Sequence, residues 1–145
     1  MVAHLVRDVV SGCTYYNEWA QQSEIARYTL PKLLALSSAE PESILVARAN
    51  EAPVGFCTSH NDGMGLIWLG WIGVASPWRR QGLAMELLER LLDGASARGA
   101  HKVWCDTRVP NVASAAMLEK AGFARLCELR NHWYGLDYYL WEKPA

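Results

Sequence analysis

The feature of this sequence that most constrains its fold is a change in hydrophobic period between residues 66 and 108. Residues 66–74 form a nearly unbroken apolar run, which is typical of a buried strand. From Leu83 onward, apolar residues recur at intervals of three and four with charges on the opposite side, which predicts an amphipathic helix ending near Gly99. A second strand is predicted at residues 102–108. Two strands joined by one helix pair in parallel through a right-handed crossover.

The segments before this unit predict one strand, two helices and two more strands. Residues 3–9 alternate between apolar and polar side chains well enough to predict a first strand. Two helical patterns follow between residues 13 and 38. Residues 43–49 and 54–60 are separated by turn-forming residues, and together with residues 66–74 they predict an antiparallel meander.

The segments after the unit predict a short helix and a closing hairpin. Asn111 is a good N-cap for that helix and Gly122 closes it, while residues 123–131 and 138–143 predict the hairpin. The whole order is βαα–βββ–αβ–αβ–β. This is an α/β (α+β) fold with a mixed central sheet of six to seven strands and helices on both faces. Because no linker or repeat interrupts it, we expect residues 1–145 to form a single domain.

Composition excludes several classes of function. The chain has 14 Lys and Arg residues against 15 Asp and Glu residues, so its charge gives no reason to expect a nucleic acid or a membrane as a partner. The longest apolar run is too short to span a bilayer, and early charges interrupt any signal peptide, so we expect a cytoplasmic protein. The four cysteines form no CxxC pair. We therefore expect no bound metal, and we interpret Cys57, Cys105 and Cys127 as buried free thiols.

One segment has features that suit a phosphate group. From Val74 to Ala84 an apolar strand ends, the chain turns, and the long helix begins beside Gly82. A helix N-terminus presents unpaired N–H groups and a partial positive charge, which suit a phosphate group. Arg79 and Arg80 add positive charge beside it. A helix that merely begins with arginines explains the same residues, so this segment alone leaves both interpretations open.

A second segment, residues 111–123, favours the first interpretation. It reads NVASAAMLEKAGF and follows the next predicted strand. With the Arg-x-x-Gly-x-Ala pattern of residues 79–84 before it, the chain resembles the GNAT superfamily of acetyl-CoA-dependent N-acetyltransferases. The resemblance is specific over residues 71–123, and elsewhere it rests on the order of the elements.

The resemblance implies a splayed sheet, a cofactor and a set of binding residues. The fourth and fifth strands, counted from residues 3–9, should separate, with a bulge in residues 70–73 of the fourth. Acetyl-CoA would lie in the gap. The residues implied to bind it are the backbone of Ile72, Gly73 and Val74, the pyrophosphate loop of Arg79, Arg80, Gln81, Gly82, Leu83 and Ala84, and Asn111 and Ser114 beside the pantetheine arm. For Asn111, helix capping alone is the alternative.

The sequence departs from the family pattern where many members carry a tyrosine that protonates the leaving thiolate. Leu118 stands at that position. Tyr134, in the last hairpin, is the candidate replacement acid, with side-chain packing as the alternative. Asp106 is the candidate general base, because some relatives carry an acid there, with a structural or solvent-facing role as the alternative. An α-amino group, with a pKa of ~7.7–8.0, needs less help from a base than a lysine amine at ~10.4.

These residues predict an enzyme that transfers an acetyl group directly from acetyl-CoA to a primary amine of a small molecule or peptide. The alternative is a regulatory or interaction module that binds acetyl-CoA without turnover, as the leucine at position 118 suggests. Four residues of the N-terminal helical region form either an aromatic wall with one carboxylate for the acceptor amine or the core face of a helix: Tyr15, Tyr16, Glu18 and Trp19. A homodimer is one assembly that the sequence leaves open.

Overall fold

The computed structural model describes residues 1–145, and its six strands form one sheet. The strands are β1 (Ile44–Ala49), β2 (Ala52–Asn61), β3 (Leu66–Val74), β4 (Lys102–Arg108), β5 (Ala124–Leu129) and β6 (Tyr138–Pro144). The helices are α1 (Val2–Ser11), α2 (Glu18–Arg27), α3 (Leu30–Ala39), α4 (Leu83–Ala95) and α5 (Val112–Lys120). The strands lie in the order β1-β2-β3-β4-β6-β5. Only β3 and β4 pair in parallel, as the crossover through α4 requires.

Helices cover both faces of this sheet, which confirms the predicted architecture. On one face, Leu87, Leu88 and Leu91 of α4 belong to the larger buried core, together with side chains of β3 and β4. Burial of each leucine contributes about 1.5–3 kcal/mol. On the other face, α1 and α3 pack against β2 in a second cluster that includes Val6 and Phe56. The sheet is therefore held between two separate apolar layers.

The predicted strand at residues 3–9 is wrong, because this segment belongs to α1. Its apolar side chains recur at intervals of three and four, a spacing that a helix aligns along one side. They are Val2, Leu5, Val6, Val9 and Val10. Over ten residues this helical pattern accounts for more of the apolar positions than strand alternation does. The sheet consequently has six strands, and three helices precede it.

The strands β3 and β4 separate after a short stretch of pairing, which confirms the predicted splay. They pair only from Leu66 to Trp68, opposite residues 102–104. Beyond that point β4 continues alongside β6 as far as Arg108. The rest of β3 has no partner on that side, so a gap opens between the two strands.

A β-bulge redirects β3 at the start of the gap. Gly70 and Trp71 together lie opposite Thr58 alone, because the register of the β2–β3 pair shifts there. The N–H of Trp71 donates to Thr58 Oγ1 at 2.9 Å. A Cβ on Gly70 would lie 2.7 Å from that same oxygen, so the bulge requires glycine. It lies within residues 70–73, as predicted.

The C-terminal elements follow the prediction, with one exception at the sheet edge. Asn111 caps α5, and β5 and β6 form the expected antiparallel hairpin. Cys57 and Cys105 are buried free thiols, but the prediction is wrong for Cys127, which is exposed. Its strand, β5, lies at the edge of the sheet and most of its residues are exposed. None of the helices has the length and apolar composition needed to cross a membrane.

Candidate active site

A cleft of about 840 Å³ opens where β3 and β4 separate. Its walls come from α2, β3, β4, α5 and the turn before β6. The structure brings together in these walls six of the residues predicted from the sequence, which are Ile72, Ala84, Asp106, Asn111, Ser114 and Tyr134. The other predicted residues are not among those that line the cleft: Gly73 and Val74 lie within β3, Arg79, Arg80, Gln81 and Gly82 lie in the turn before α4, and Leu83 is the first residue of α4.

The start of α4 has the free backbone donors that a phosphate group needs. Gly82, its N-cap, has a φ of 83° and provides no side-chain cap. The N–H groups of Leu83, Ala84 and Met85 donate to no acceptor within the chain. Unpaired N–H groups at a helix N-terminus attract anions. This arrangement fits a pyrophosphate group. Ala84 belongs both to this helix start and to the lining of the cleft, so the two are contiguous.

The two arginines before α4 are placed differently. The Nε of Arg79 donates to the backbone oxygen of Val74 at 2.9 Å, so this side chain fixes the turn that follows β3. Arg80 is exposed and has a φ of 59°, a left-handed conformation that costs a non-glycine residue about 1–2 kcal/mol. Arg80 takes part in no ion pair. Its guanidinium is therefore free to contact an anion at the helix start.

Asn111 serves as a helix cap and still has a free donor in the cleft. Its Oδ1 accepts a hydrogen bond from the N–H of Ser114 at 3.2 Å, which is the capping contact expected from the sequence. Its amide nitrogen makes no hydrogen bond within the chain. The side chain can therefore cap α5 and donate to a ligand at the same time.

Asp106 lies in the wall of the cleft and its carboxylate has no partner. Its neighbours Cys105 and Thr107 are buried on the opposite side of β4, so strand alternation directs Asp106 toward the cleft. Burial, with the nearby charge of Glu24, raises the pKa of Asp106 to about 7 against the opposing effect of Arg27. A carboxylate with that pKa can accept a proton at neutral pH.

Glu24 of α2 joins three parts of the site, and the sequence analysis missed it. Its Oε2 accepts from the indole N–H of Trp71 at 2.9 Å, and its Oε1 lies 2.8 Å from the hydroxyl of Tyr134. Only 8% of Glu24 is exposed. The sequence held one signal for it: Glu24 follows Ala20 by one helical turn, and both lie on the buried side of α2.

Tyr134 is held against α2 by several contacts. Its hydroxyl donates to Glu24 and lies 3.1 Å from the hydroxyl of Ser23, and its backbone oxygen accepts from Asn17 at 3.1 Å. The ring of Trp19 packs edge-on against it at 5.3 Å. Burial raises the pKa of Tyr134, and Glu24 raises it further against the effect of Ser23. The hydroxyl is therefore protonated at neutral pH.

The sequence left open whether the aromatic residues before and within α2 form a wall of the acceptor site or the core face of a helix. Tyr16 lines the cleft and its ring packs against Trp71 at 5.3 Å, so it belongs to a wall of the cleft. Trp19 is 66% exposed, which a core position would not allow. Leu118 lines the cleft and is buried with the larger core. It supplies no hydroxyl at the position where the family resemblance implies a tyrosine.

Comparisons with known proteins agree with this geometry. The model of the Acetyltransferase (GNAT) family matches residues 10–123. Among curated proteins, the ribosomal protein bS18-alanine N-acetyltransferase of Escherichia coli (strain K12) is 37% identical over 66 residues. That match spans 46% of this chain and 45% of the E. coli enzyme, so the chain matches less than half the length of this curated relative.

Two solved structures show how closely the fold is shared. The ribosomal-protein-alanine N-acetyltransferase of Brucella melitensis superposes with a TM-score of 0.81 at 21% identity, over 99% of this chain and 92% of that one. The structure of yncA from Salmonella typhimurium, solved with its cofactor acetyl-CoA, superposes with a TM-score of 0.75 at 18% identity, over 99% and 86% of the two chains. At these identities the superpositions establish the fold.

Proposed function

Because the chain belongs to the GNAT family of acetyltransferases, we propose that it transfers the acetyl group of acetyl-CoA to the α-amino group of a peptide or protein. Family membership supports the predicted enzyme class, an acyltransferase. The acceptor is inferred from the curated relative, whose name places its activity on an alanine of ribosomal protein bS18. An α-amino group has a pKa of ~7.7–8.0, so a useful fraction is neutral at physiological pH.

The residues around the cleft provide a binding site for acetyl-CoA, which when bound supplies the activated acetyl thioester. Residues 79–84 offer unpaired N–H groups and the free guanidinium of Arg80 to the pyrophosphate. The side of β3 that faces the gap offers the backbone groups of Ile72 and Val74 to the pantetheine arm, whereas those of Gly73 face Phe56 of β2. The amide of Asn111 and the hydroxyl of Ser114 reach the same gap.

Two side chains would move the protons. Asp106, with its pKa of about 7, accepts a proton from the acceptor amine as the amine attacks. Tyr134 donates its hydroxyl proton to the departing sulfur by turning that O–H away from the carboxylate of Glu24, which accepts it at 2.8 Å in the free protein. The demand on Tyr134 is modest, because a thiol with a pKa of ~8.5 leaves readily as thiolate.

The observation that carries this proposal is the unpartnered carboxylate of Asp106 beside the gap between β3 and β4. The test is release of free CoA thiol from acetyl-CoA in the presence of a peptide that begins with alanine. The matched control is the same peptide with its α-amino group already acetylated. We expect thiol release and a mass gain of one acetyl group only with the free N-terminus. Release at an equal rate with the blocked peptide would contradict an α-amino acceptor.

Leu118 favours a second candidate, a module that binds acetyl-CoA without turnover. It is buried to 3% exposure at the position of the usual tyrosine, so the common proton donor of the family is absent. The two candidates predict the same affinity for acetyl-CoA and differ only in turnover. Tight binding of acetyl-CoA with no thiol release in any of a panel of primary amines would establish the module.

A further inference from the structure

Arg108, at the end of β4, is a buried cation with no charged partner. Only 8% of the residue is exposed, and it takes part in no ion pair. Its Nε donates to the backbone oxygen of Asp137 at 3.0 Å. Its Nη1 is buried and has no hydrogen-bond partner. The Nε edge of the guanidinium is therefore committed to the hairpin, and neither Nη atom donates to an acceptor within the chain.

Tyr138 lies directly across the sheet from Arg108 and has the same deficiency. The two residues are paired in the register of β4 and β6, and the guanidinium carbon lies 5.5 Å from the centre of the Tyr138 ring. Tyr138 is 2% exposed, and its hydroxyl is buried without a partner. These are the only two buried side-chain polar atoms of the chain without a hydrogen bond, and both residues line the cleft.

The unpaired Nη1 of Arg108 and the unpaired hydroxyl of Tyr138 belong to adjacent residues in the wall of the cleft, which indicates that a bound substrate supplies their hydrogen-bond partner. Buried polar groups in folded proteins are nearly always hydrogen-bonded, since leaving one unpaired costs stability. A guanidinium N–H can only donate, and a tyrosine hydroxyl can also donate. The complementary ligand atom is thus an acceptor with negative charge or partial negative charge, which means an oxygen of a carbonyl or carboxylate group.

We propose that Arg108 and Tyr138 form a specificity site that binds the carbonyl-type oxygen on the carbon next to the acceptor amine. This inference rests on the proposed function, because it assigns the amine to Asp106. Asp106 and Arg108 stand two residues apart on the same face of β4, a separation of about 7 Å along a strand. That spacing separates the two Cα atoms, and an α-amino carbonyl group fits between the two side chains with its amine toward Asp106 and its oxygen toward Arg108. The site selects α-amino carbonyl compounds over simple amines.

Three small acceptors test this site. On the carbon that bears the amine, alaninamide has an amide carbonyl group, alanine has a carboxylate and 2-aminopropane has a methyl group. In Arg108→Met, we expect kcat/KM to fall by about 10- to 100-fold for alaninamide and alanine, the loss that one charge-assisted hydrogen bond produces. For 2-aminopropane we expect a change of less than about threefold. Each ratio compares variant with wild type on one acceptor, so differences in amine pKa cancel.

Two further variants separate binding from folding. Tyr138→Phe removes only the hydroxyl, and we expect about a 10-fold loss confined to the two acceptors that carry an oxygen. Arg130→Met is the matched control, because Arg130 is exposed and pairs only with Glu128 at 3.4 Å; we expect no selective loss. A larger loss for alanine than for alaninamide assigns the oxygen to a carboxylate, and equal losses assign it to a carbonyl. Equal losses on all three acceptors, or none, would overturn the proposal.

A binding measurement keeps this inference separate from the question of turnover. Alaninamide is titrated into the CoA-saturated protein and followed by chemical-shift changes, with 2-aminopropane as the reference. We expect wild type to bind alaninamide at least 10-fold more tightly than Arg108→Met does. That result supports the site even if no thiol is ever released, in which case only the proposed function fails. Equal binding by both proteins, or no binding by wild type, overturns the site itself.

Discussion

Replacing Asp106 with asparagine should make the protein a poorer catalyst and a more stable fold, and the two effects share one cause. The carboxylate is held in the cleft wall without a hydrogen bond or an ion pair, and its pKa is raised from 3.8 to about 7. Asparagine has nearly the same shape, cannot ionise, and cannot act as a base. The variant therefore removes the charge and leaves the packing unchanged.

The sign and size of the stability change follow from proton linkage. Between pH 4 and pH 7 the folded state holds the Asp106 proton and the unfolded chain has released it, so the wild-type protein loses stability as pH rises through this window. A shift from 3.8 to about 7 corresponds to at most about 4 kcal/mol at pH 8. For a domain of this size that is roughly 10 °C in Tm. Asp106→Asn should show this gain at pH 8 and almost none below pH 4.

The kinetic readout is the pH profile of kcat/KM for thiol release. The wild-type rate should rise through an inflection near pH 7 as Asp106 becomes a base. In Asp106→Asn we expect a loss of about 100-fold or more and no inflection there, since a general base contributes about 10²–10⁴. A variant that keeps the wild-type profile would refute the assignment of Asp106 as base. A variant whose Tm advantage is the same at pH 4 and pH 8 would refute the raised pKa.

Three more predictions follow from the geometry. Gly82→Val should weaken acetyl-CoA binding by about 10-fold or more in calorimetry. The φ of 83° costs a β-branched residue about 1–2 kcal/mol, and the valine side chain would occupy the path by which the anion approaches. Unchanged affinity would show that the loop is not part of the site. Gly70→Ala should lower the free energy of unfolding by about 1–3 kcal/mol, since its Cβ would lie 2.7 Å from Thr58 Oγ1; equal urea midpoints would contradict this. Glu24→Gln should move the kinetic inflection of Asp106 to lower pH yet keep it above the ordinary range, because burial remains the larger cause; no movement would show that Glu24 exerts no charge effect.

The parts of this structure that the sequence predicted are those coded by contiguous segments. The strand, turn and helix from β3 to α4 occupy one stretch of chain, and their hydrophobic periods differ so clearly that both elements and their parallel partner β4 could be assigned. The splay and the bulge required the family resemblance as well, because glycines at positions 70 and 73 mark close backbone approach without saying what approaches.

The error at residues 3–9 shows where local pattern is ambiguous. A short segment that contains Val6 and Val9 fits strand alternation and helical spacing almost equally, and the valines themselves favour strands. What decided the outcome is that Leu5, Val6 and Val10 bury together against Phe56 of β2. That packing is tertiary, and it outweighs the intrinsic preference of valine.

The two halves of the proposed site differ in the same way. The sequence indicated the whole anion segment on the cofactor side, but on the acceptor side it indicated Asp106 and Tyr134 and missed Glu24 and Arg108. The anion site uses backbone N–H groups, whose position follows from a helix starting at one place in the chain. The acceptor side uses Glu24, which bonds to Trp71 across 47 residues and to Tyr134 across 110. Arg108 gained its place beside Tyr138 only through the pairing of β4 with β6. Because the proposed anion site comes from one segment of backbone and the acceptor side comes from distant side chains, specificity for the amine must be tested on residues such as Arg108, which no local motif marks.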